Sequence, residues 1–112
     1  MTTEPGTLLA ADIGNSHTVL GLVRGGEVSA EWRVATVESR TADEWSVLIR
    51  GLLGDLEDQV GGIAVCATVP SVLQEWRTML ADHFGSVPSV VVEPVSWHCK
   101  HHASYWASVV IV

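Results

Sequence analysis

The hairpin that organises this chain lies at residues 12–18, Asp12-Ile13-Gly14-Asn15-Ser16-His17-Thr18. The apolar segment from Leu8 to Ile13 precedes its turn and predicts a short buried strand that carries a carboxylate near its end. The segment from Thr18 to Val23 follows the turn and is rich in residues that favour β structure. Gly14, Asn15 and Ser16 are typical turn residues, because Gly and Asn tolerate backbone conformations that other residues avoid.

A third strand follows this hairpin after the pair Gly25-Gly26, which is a strong signal for a tight turn. From Glu27 to Thr36, apolar and polar residues alternate, so that one face of the strand is predicted to be buried and the other to be wet. Three consecutive strands with short turns indicate an antiparallel meander.

The sequence period then changes to that of a helix. Thr41 and Glu44 have the spacing of a capping box, and the apolar residues of 42–56 fall on one helical face. The pair Gly61-Gly62 is interpreted as the end of this helical unit.

The remaining elements alternate between strand and helix. Ile63-Ala64-Val65-Cys66-Ala67 predicts a strand that is covered on both faces, residues 70–84 predict a second helix, and Val90-Val91-Val92 predicts a fifth strand. The predicted order is β-β-β-α-β-α-β, with three antiparallel strands followed by parallel strands, because strand–helix alternation favours parallel crossovers.

Length and composition exclude several classes of protein. The chain has 112 residues, with 13 acidic against 6 basic side chains and a formal net charge of −7. This length allows one domain, and the absence of a basic patch argues against nucleic-acid binding. No apolar run approaches the ~20 residues of a membrane span. The N-terminus has neither the charge nor the apolar stretch of a signal peptide, so a cytoplasmic location is predicted.

The turn after the first strand has the residue types of a phosphate-and-metal site. The amides of Gly14, Asn15 and Ser16 are able to converge on an anion, and Ser16 and Thr18 add hydroxyl groups. Asp12 is a candidate Mg²⁺ ligand, since Mg²⁺ favours one or two carboxylates together with phosphate oxygens. The alternative is an ordinary hairpin in which Asp and Asn cap their own turn. Neither the P-loop nor the dinucleotide-binding fingerprint occurs in the sequence.

The order of motifs resembles the superfamily of acetate and sugar kinases, heat-shock ATPases and actin, whose domains are ribonuclease H-like, and within it the type III pantothenate kinases. Five stretches carry the resemblance, in order and without large gaps: Asp12-Ile13-Gly14-Asn15-Ser16-His17-Thr18-Val19-Leu20-Gly21-Leu22, Trp32-Arg33-Val34-Ala35-Thr36, Arg40-Thr41-Ala42-Asp43-Glu44-Trp45, Gly62-Ile63-Ala64-Val65-Cys66-Ala67-Thr68-Val69-Pro70-Ser71-Val72 and Val90-Val91-Val92-Glu93-Pro94. The fold expected from this resemblance is an incomplete actin-like ATPase domain over residues 1–94.

The resemblance implies an enzyme that transfers the γ-phosphoryl group of ATP to pantothenate, at the start of coenzyme A synthesis. It implies Mg²⁺, with Asp12 beside the metal, and a monovalent cation, K⁺ or NH₄⁺, in the full-length family. It also implies a homodimer when the protein is full length. The residues matched to the first ATP-phosphate loop are Asp12, Ile13, Gly14, Asn15, Ser16, His17, Thr18 and Val19.

The sequence departs from the family after the fifth strand. The family continues with Gly-Ala-Asp-Arg, whose Asp is the general base, and neither this motif nor any acidic residue occurs in residues 95–112. No catalytic residue is therefore assigned within this chain. Loss of a general base removes about 10²–10⁴ in rate, so the chain alone is expected to be an inactive N-terminal fragment. Residues 95–112 are interpreted as a divergent tail, either truncated or frame-shifted.

Two other readings remain open at the level of sequence. A domain that keeps the phosphate loop and lacks the base resembles a non-catalytic regulator of the Bvg accessory factor type, which shares the scaffold. The third reading is a non-functional product of a damaged gene.

Overall fold

The computed structural model describes residues 6–92, in which five strands and two α-helices form one α/β unit. The elements are β1 (Thr7–Ile13), β2 (His17–Arg24), β3 (Glu27–Ala35), α1 (Ala42–Leu53), a 3₁₀-helix (Gly54–Gln59), β4 (Val60–Ala67), α2 (Pro70–His83) and β5 (Ser89–Val92). The predicted order β-β-β-α-β-α-β is confirmed. The interpretation of residues 95–112 as a divergent tail concerns residues outside the described range.

The five strands form a single sheet in the order β3-β2-β1-β4-β5. The strand β1 lies at the centre and pairs antiparallel with β2 and parallel with β4. The outer pairs follow the same division, since β2 and β3 are antiparallel while β4 and β5 are parallel. The predicted change from an antiparallel meander to a parallel sheet is therefore confirmed.

The two faces of the sheet differ in what packs on them. On the first, the helix-covered face, alternate residues of β1, β2 and β4 join both helices in the main core. The fully buried Trp45 of α1 and Trp76 of α2 meet there, with ring centroids 5.3 Å apart. On the second face, Ala10, Val23, Ala64 and Cys66 form a smaller apolar cluster to which neither α1 nor α2 contributes.

Helix α1 begins with the predicted capping box and ends earlier than predicted. The Thr41 hydroxyl accepts a hydrogen bond from the Glu44 backbone N–H at 3.2 Å, and the Thr41 N–H donates to the Glu44 carboxylate at 2.9 Å. The hydrogen bond from the Thr41 backbone N–H lowers the pKa of the Glu44 carboxyl group, and the Thr41 side chain lowers it further. The helix ends at Leu53 because Gly54 adopts φ 55°, and a 3₁₀-helix follows. Leu56, which was predicted to lie in α1, packs against the core from that 3₁₀-helix.

Two glycine pairs were predicted to mark boundaries, Gly25-Gly26 a tight turn and Gly61-Gly62 the end of a helical unit, and only the first prediction is confirmed. Gly25 and Gly26 have φ values of 60° and 83°, as expected for the tight β2–β3 turn. Gly61 and Gly62 instead lie within β4, so the prediction that they end the helical unit was wrong. A Cβ atom on Gly61 would lie 3.5 Å from the Gly6 Cα, which shows how closely the two backbones approach here.

Polar contacts fasten the two helices to each other. The Glu75 carboxylate of α2 accepts a hydrogen bond from the Ala42 N–H at the start of α1, at 2.9 Å. At the other end of α1, the Arg50 guanidinium donates to the His83 carbonyl at 2.8 Å. Within residues 6–92, no helix is long and apolar enough to cross a membrane.

Candidate functional site

The site predicted from the sequence lies where the central strand ends. Asp12 is the penultimate residue of β1 and is flanked by Val19 of β2 and Cys66 of β4. Because side chains alternate along a strand, Asp12 lies on the second face, the face of Ala10. Its carboxyl group is half-buried, and this burial raises its pKa to about 6. Asp12 therefore lies in surroundings that favour a neutralising partner.

A backbone hydrogen bond closes the turn between β1 and β2. The Gly14 N–H donates to the His17 carbonyl at 2.9 Å, so this amide closes the hairpin and is not directed at a ligand. None of the turn residues has a positive φ. Glycine is favoured at position 14 for a different reason, since a Cβ there would make a tight contact of 3.0 Å with the His17 oxygen. Asn15 and Ser16 form the exposed tip, and their amides remain the candidates for an anion.

The structure separates the eight predicted site residues into three groups. Asp12, His17 and Val19 share the second face, by the alternation of β1 and β2. Gly14, Asn15 and Ser16 form the turn described above, and the remaining residues of the prediction, Ile13 and Thr18, are fully buried toward the helix-covered face. The Thr18 hydroxyl lies 2.8 Å from the Thr36 hydroxyl, so it is engaged inside the core and does not face Asp12.

Neighbouring strands hold the loop in place from both sides. The Thr36 N–H donates to the Ser16 carbonyl at 2.9 Å, which joins the tip to the residue that follows β3. The Thr68 N–H donates to the Ile13 carbonyl at 3.0 Å, and the Thr68 hydroxyl donates to the same oxygen at 3.3 Å. The loop is thus fixed by backbone hydrogen bonds, as a site that positions a ligand requires.

The residues at this edge fit a magnesium ion that is shared with phosphate. Residues 6–92 contain no group of three or more His, Cys, Asp or Glu side chains placed to hold a metal without help. Asp12 is the carboxylate at the loop, and Mg²⁺ binds readily to one or two carboxylates when phosphate oxygens and water complete its shell. The donor set therefore suits Mg²⁺ carried by a polyphosphate better than it suits an ion held by protein alone.

Sequence reasoning did not select Arg33 as a site residue, although the structure places it in the same row as Asp12. Val19 pairs with Asp12 on one side and with Arg33 on the other. The alternation of β3 correctly predicted that Arg33 lies on the exposed side of the strand. Its distance from the loop depended on strand register, which that alternation does not provide.

The chain is similar in sequence to one family of known proteins. A sequence model described as type III pantothenate kinase matches residues 8–107. A type III pantothenate kinase from Nocardioides sp. is 70% identical over 87 residues, and one from Streptomyces griseus subsp. griseus is 51% identical over 94 residues; each match covers 78% of this chain. The chain spans about a third of the length of these curated relatives, 34% and 36% respectively.

Solved structures support the fold at low sequence identity. A proposed N-acetylglucosamine kinase from Porphyromonas gingivalis matches with a TM-score of 0.62 and 10% identity, over 77% of this chain and 33% of that one. T. thermophilus RuvC, solved in complex with a Holliday junction substrate, matches with a TM-score of 0.53 and 18% identity, over 80% of this chain and 66% of that one. These likenesses support the predicted ribonuclease H-like, actin-like class and, at such identities, concern the fold alone.

Proposed function

We propose, from the premise that the chain belongs to the type III pantothenate kinase family, that it provides the first phosphate-binding segment of an ATP-dependent pantothenate kinase. The reaction transfers the γ-phosphoryl group of ATP to the pantothenate hydroxyl. Such a transfer depends mainly on positioning and on neutralising charge, with little covalent chemistry for the protein to supply. The observation that carries the proposal is the half-buried carboxylate of Asp12 beside the exposed β1–β2 loop at the end of the central strand.

The residues of the loop divide the work of binding phosphate. Asp12 would hold Mg²⁺, which neutralises phosphate charge when it is bound. The exposed tip at Asn15 and Ser16 offers backbone N–H groups to phosphate oxygens, as loop amides do in other anion sites. Gly14 contributes by closing the turn through its bond to His17, and Thr18 anchors the loop from within the core.

Several features of the complete enzyme belong to this proposal through the family. These are the pantothenate site, a monovalent cation that is K⁺ or NH₄⁺, a homodimer and a cytoplasmic location. The general base is proposed to lie in the part of the enzyme that this chain does not match. The 112 residues on their own are therefore proposed to bind Mg-ATP without catalysing phosphoryl transfer.

The test is calorimetric titration of the 112-residue chain with Mg-ATP, paired with a coupled assay of ATP and pantothenate. We expect saturable binding that requires Mg²⁺, with no turnover. Asp12→Asn should weaken the Mg²⁺-dependent binding, whereas Asp58→Asn, on the exposed 3₁₀-helix, removes the same charge elsewhere and should leave it unchanged.

Three results would contradict parts of this proposal. If the unchanged chain binds no Mg-ATP, it has no phosphate site of its own. If Asp12→Asn and Asp58→Asn behave alike, Asp12 is not the metal ligand. Turnover by the chain alone would show that a general base lies within it.

A further inference from the structure

A row of side chains crosses the second face of the sheet beside the proposed phosphate loop. The strand register aligns Arg33 of β3 with Val19 of β2, Val19 with Asp12 of β1, and Asp12 with Cys66 of β4. Residues that are directly opposite one another in neighbouring strands point to the same face. Arg33 and Asp12 therefore lie on one face at the same level, with Val19 between them.

The separation of the two charged residues suits a ligand between them. Adjacent strands lie about 4.8 Å apart, so the Cα atoms of Arg33 and Asp12, two strands apart, are separated by about 10 Å. An arginine side chain is long enough to cross this distance, yet Arg33 and Asp12 form no ion pair within the described part of the chain. A group bound above Val19, which is half-buried and apolar, would lie within reach of both charged side chains.

Arg33 differs from the other arginines of residues 6–92 in having no partner. Arg40 donates to the Ala35 carbonyl, Arg50 pairs with Glu57, and Arg24 and Arg77 also make polar or ring contacts. Within the described part of the chain, Arg33 makes no hydrogen bond, ion pair or ring contact. Glu31 lies two residues away on the same face of β3, and it does not pair with Arg33 either. The guanidinium is thus exposed and available.

We propose that Arg33 binds phosphate oxygens of the nucleotide's polyphosphate tail, on the side of Val19 opposite Asp12. This inference rests on the proposed function and adds a residue to its phosphate site. A guanidinium suits the role because it remains charged and donates two parallel N–H bonds to a phosphate. The guanidinium also places a positive charge beside the phosphate on the side of β3. On the side of β1, Mg²⁺ held by Asp12 would offset the negative charge of the carboxylate.

The test uses the 112-residue chain and inorganic tripolyphosphate with Mg²⁺ as the probe, titrated by calorimetry. We expect Arg33→Gln to weaken binding by about tenfold or more, because the hydrogen bonds that are lost join two charged groups. Arg33→Lys keeps the charge and loses the two parallel N–H groups of the guanidinium. Its affinity for Mg-tripolyphosphate should lie between the affinities of the unchanged chain and Arg33→Gln. Arg33→Gln should also make binding less sensitive to added salt, since one charge pair is lost.

The control is Arg24→Gln, which removes the same charge at the far end of β2, about 23 Å from His17 along the strand. It should leave tripolyphosphate binding unchanged. The midpoint of thermal unfolding of Arg33→Gln should match that of the unchanged chain, because within the described residues Arg33 has no hydrogen bond, ion pair or ring contact to lose.

The outcomes separate this inference from the function on which it rests. If the unchanged chain binds Mg-ATP and tripolyphosphate while Arg33→Gln binds as tightly, Arg33 is not a phosphate ligand and the proposed function stands. Equal weakening by Arg33→Gln and Arg24→Gln would show a general effect of net charge and would also overturn the inference. No binding by the unchanged chain would overturn both proposals.

Discussion

The two faces of the sheet are built from different kinds of side chain. The helix-covered face buries the largest residues of the described chain, including Trp45, Trp76 and Ile49. The second face carries small residues at its centre, Ala10 and Ala64, with Asp12 at the end near the loop. Large apolar side chains supply most of the free energy of folding, whereas a half-buried carboxylate opposes folding when it is ionised. The largest buried side chains therefore lie on one face of the sheet, and the candidate binding residue Asp12 lies on the other.

The indole N–H groups show that the helix-covered face depends on packing. Neither the Trp45 nor the Trp76 Nε1 has a hydrogen-bond partner among the described residues, although both rings are fully buried. Leaving such a donor unpaired costs about 1–3 kcal/mol. The apolar contacts of the two rings, including their tilted contact with each other, must therefore exceed that cost.

The variant with the greatest predicted loss of stability disrupts the packing of the helix-covered face. Trp76→Ala should lower the free energy of unfolding by about 3–5 kcal/mol, because it leaves a large cavity between the two helices. Urea denaturation followed by circular dichroism measures the loss without relying on tryptophan fluorescence. Trp76→Phe is the matched control, since it keeps an aromatic ring, removes the unpaired N–H and should cost much less. A loss below 1 kcal/mol for Trp76→Ala would contradict the packing described here.

A second prediction concerns how Asp12, on the second face, makes the stability of the fold depend on pH. Because burial raises the pKa of Asp12 from 3.8 to about 6, the folded state prefers the protonated carboxyl group. The stability that Asp12 contributes is complete below pH 3.8 and is lost as the pH rises through about 6. Asp12→Asn should therefore raise the free energy of unfolding at pH 7 by roughly 2 kcal/mol, after allowance for partial exposure, and bring no gain near pH 4.

Denaturation of both proteins across this pH range measures the effect, with Asp58→Asn as a surface control. Mg-tripolyphosphate should remove part of the gain at pH 7, because the ligand binds more tightly to the chain that keeps its carboxylate and therefore stabilises that chain more. A gain that is equal at pH 4 and pH 7 would show that ionisation of Asp12 is not its source.

The elements of the fold were predictable because each has a local signal. The helical stripe through Val72, Trp76 and Met79 and the alternation along β3 both depend on residues close together in the chain. The errors arose where distant backbone decided the outcome. Gly61 was predicted to end a helical unit. It lies inside β4 instead, where the backbone at Gly6 packs against it.

The sequence indicated which loop carries the candidate site, but it did not predict how the backbone and side chains of that loop are arranged. The motif from Asp12 to Val19 indicated one loop, and the structure places Asp12 and the exposed tip together at the end of β1. The role of these residues in binding phosphate stays a prediction. The Gly14 amide and the Thr18 hydroxyl were assigned to the ligand, and the structure uses both within the protein. Arg33 was missed because its place beside Asp12 depends on the register of two hairpins, with a register shift in the second between Leu22 and Val23.

The smallest expected effect concerns the contact that joins the loop to the core. Thr36 holds the loop twice, through its N–H to the Ser16 carbonyl and through its hydroxyl to that of the fully buried Thr18. Thr36→Val keeps the shape and the backbone bond and leaves the Thr18 hydroxyl without its partner, which should cost about 1 kcal/mol. Thr36→Ser retains the hydroxyl and should cost less. The double variant Thr18→Val/Thr36→Val should lose less than the sum of the two single losses, because it leaves no hydroxyl unpaired. Strict additivity in urea denaturation would show that the two hydroxyls do not interact and that backbone bonds alone hold the loop.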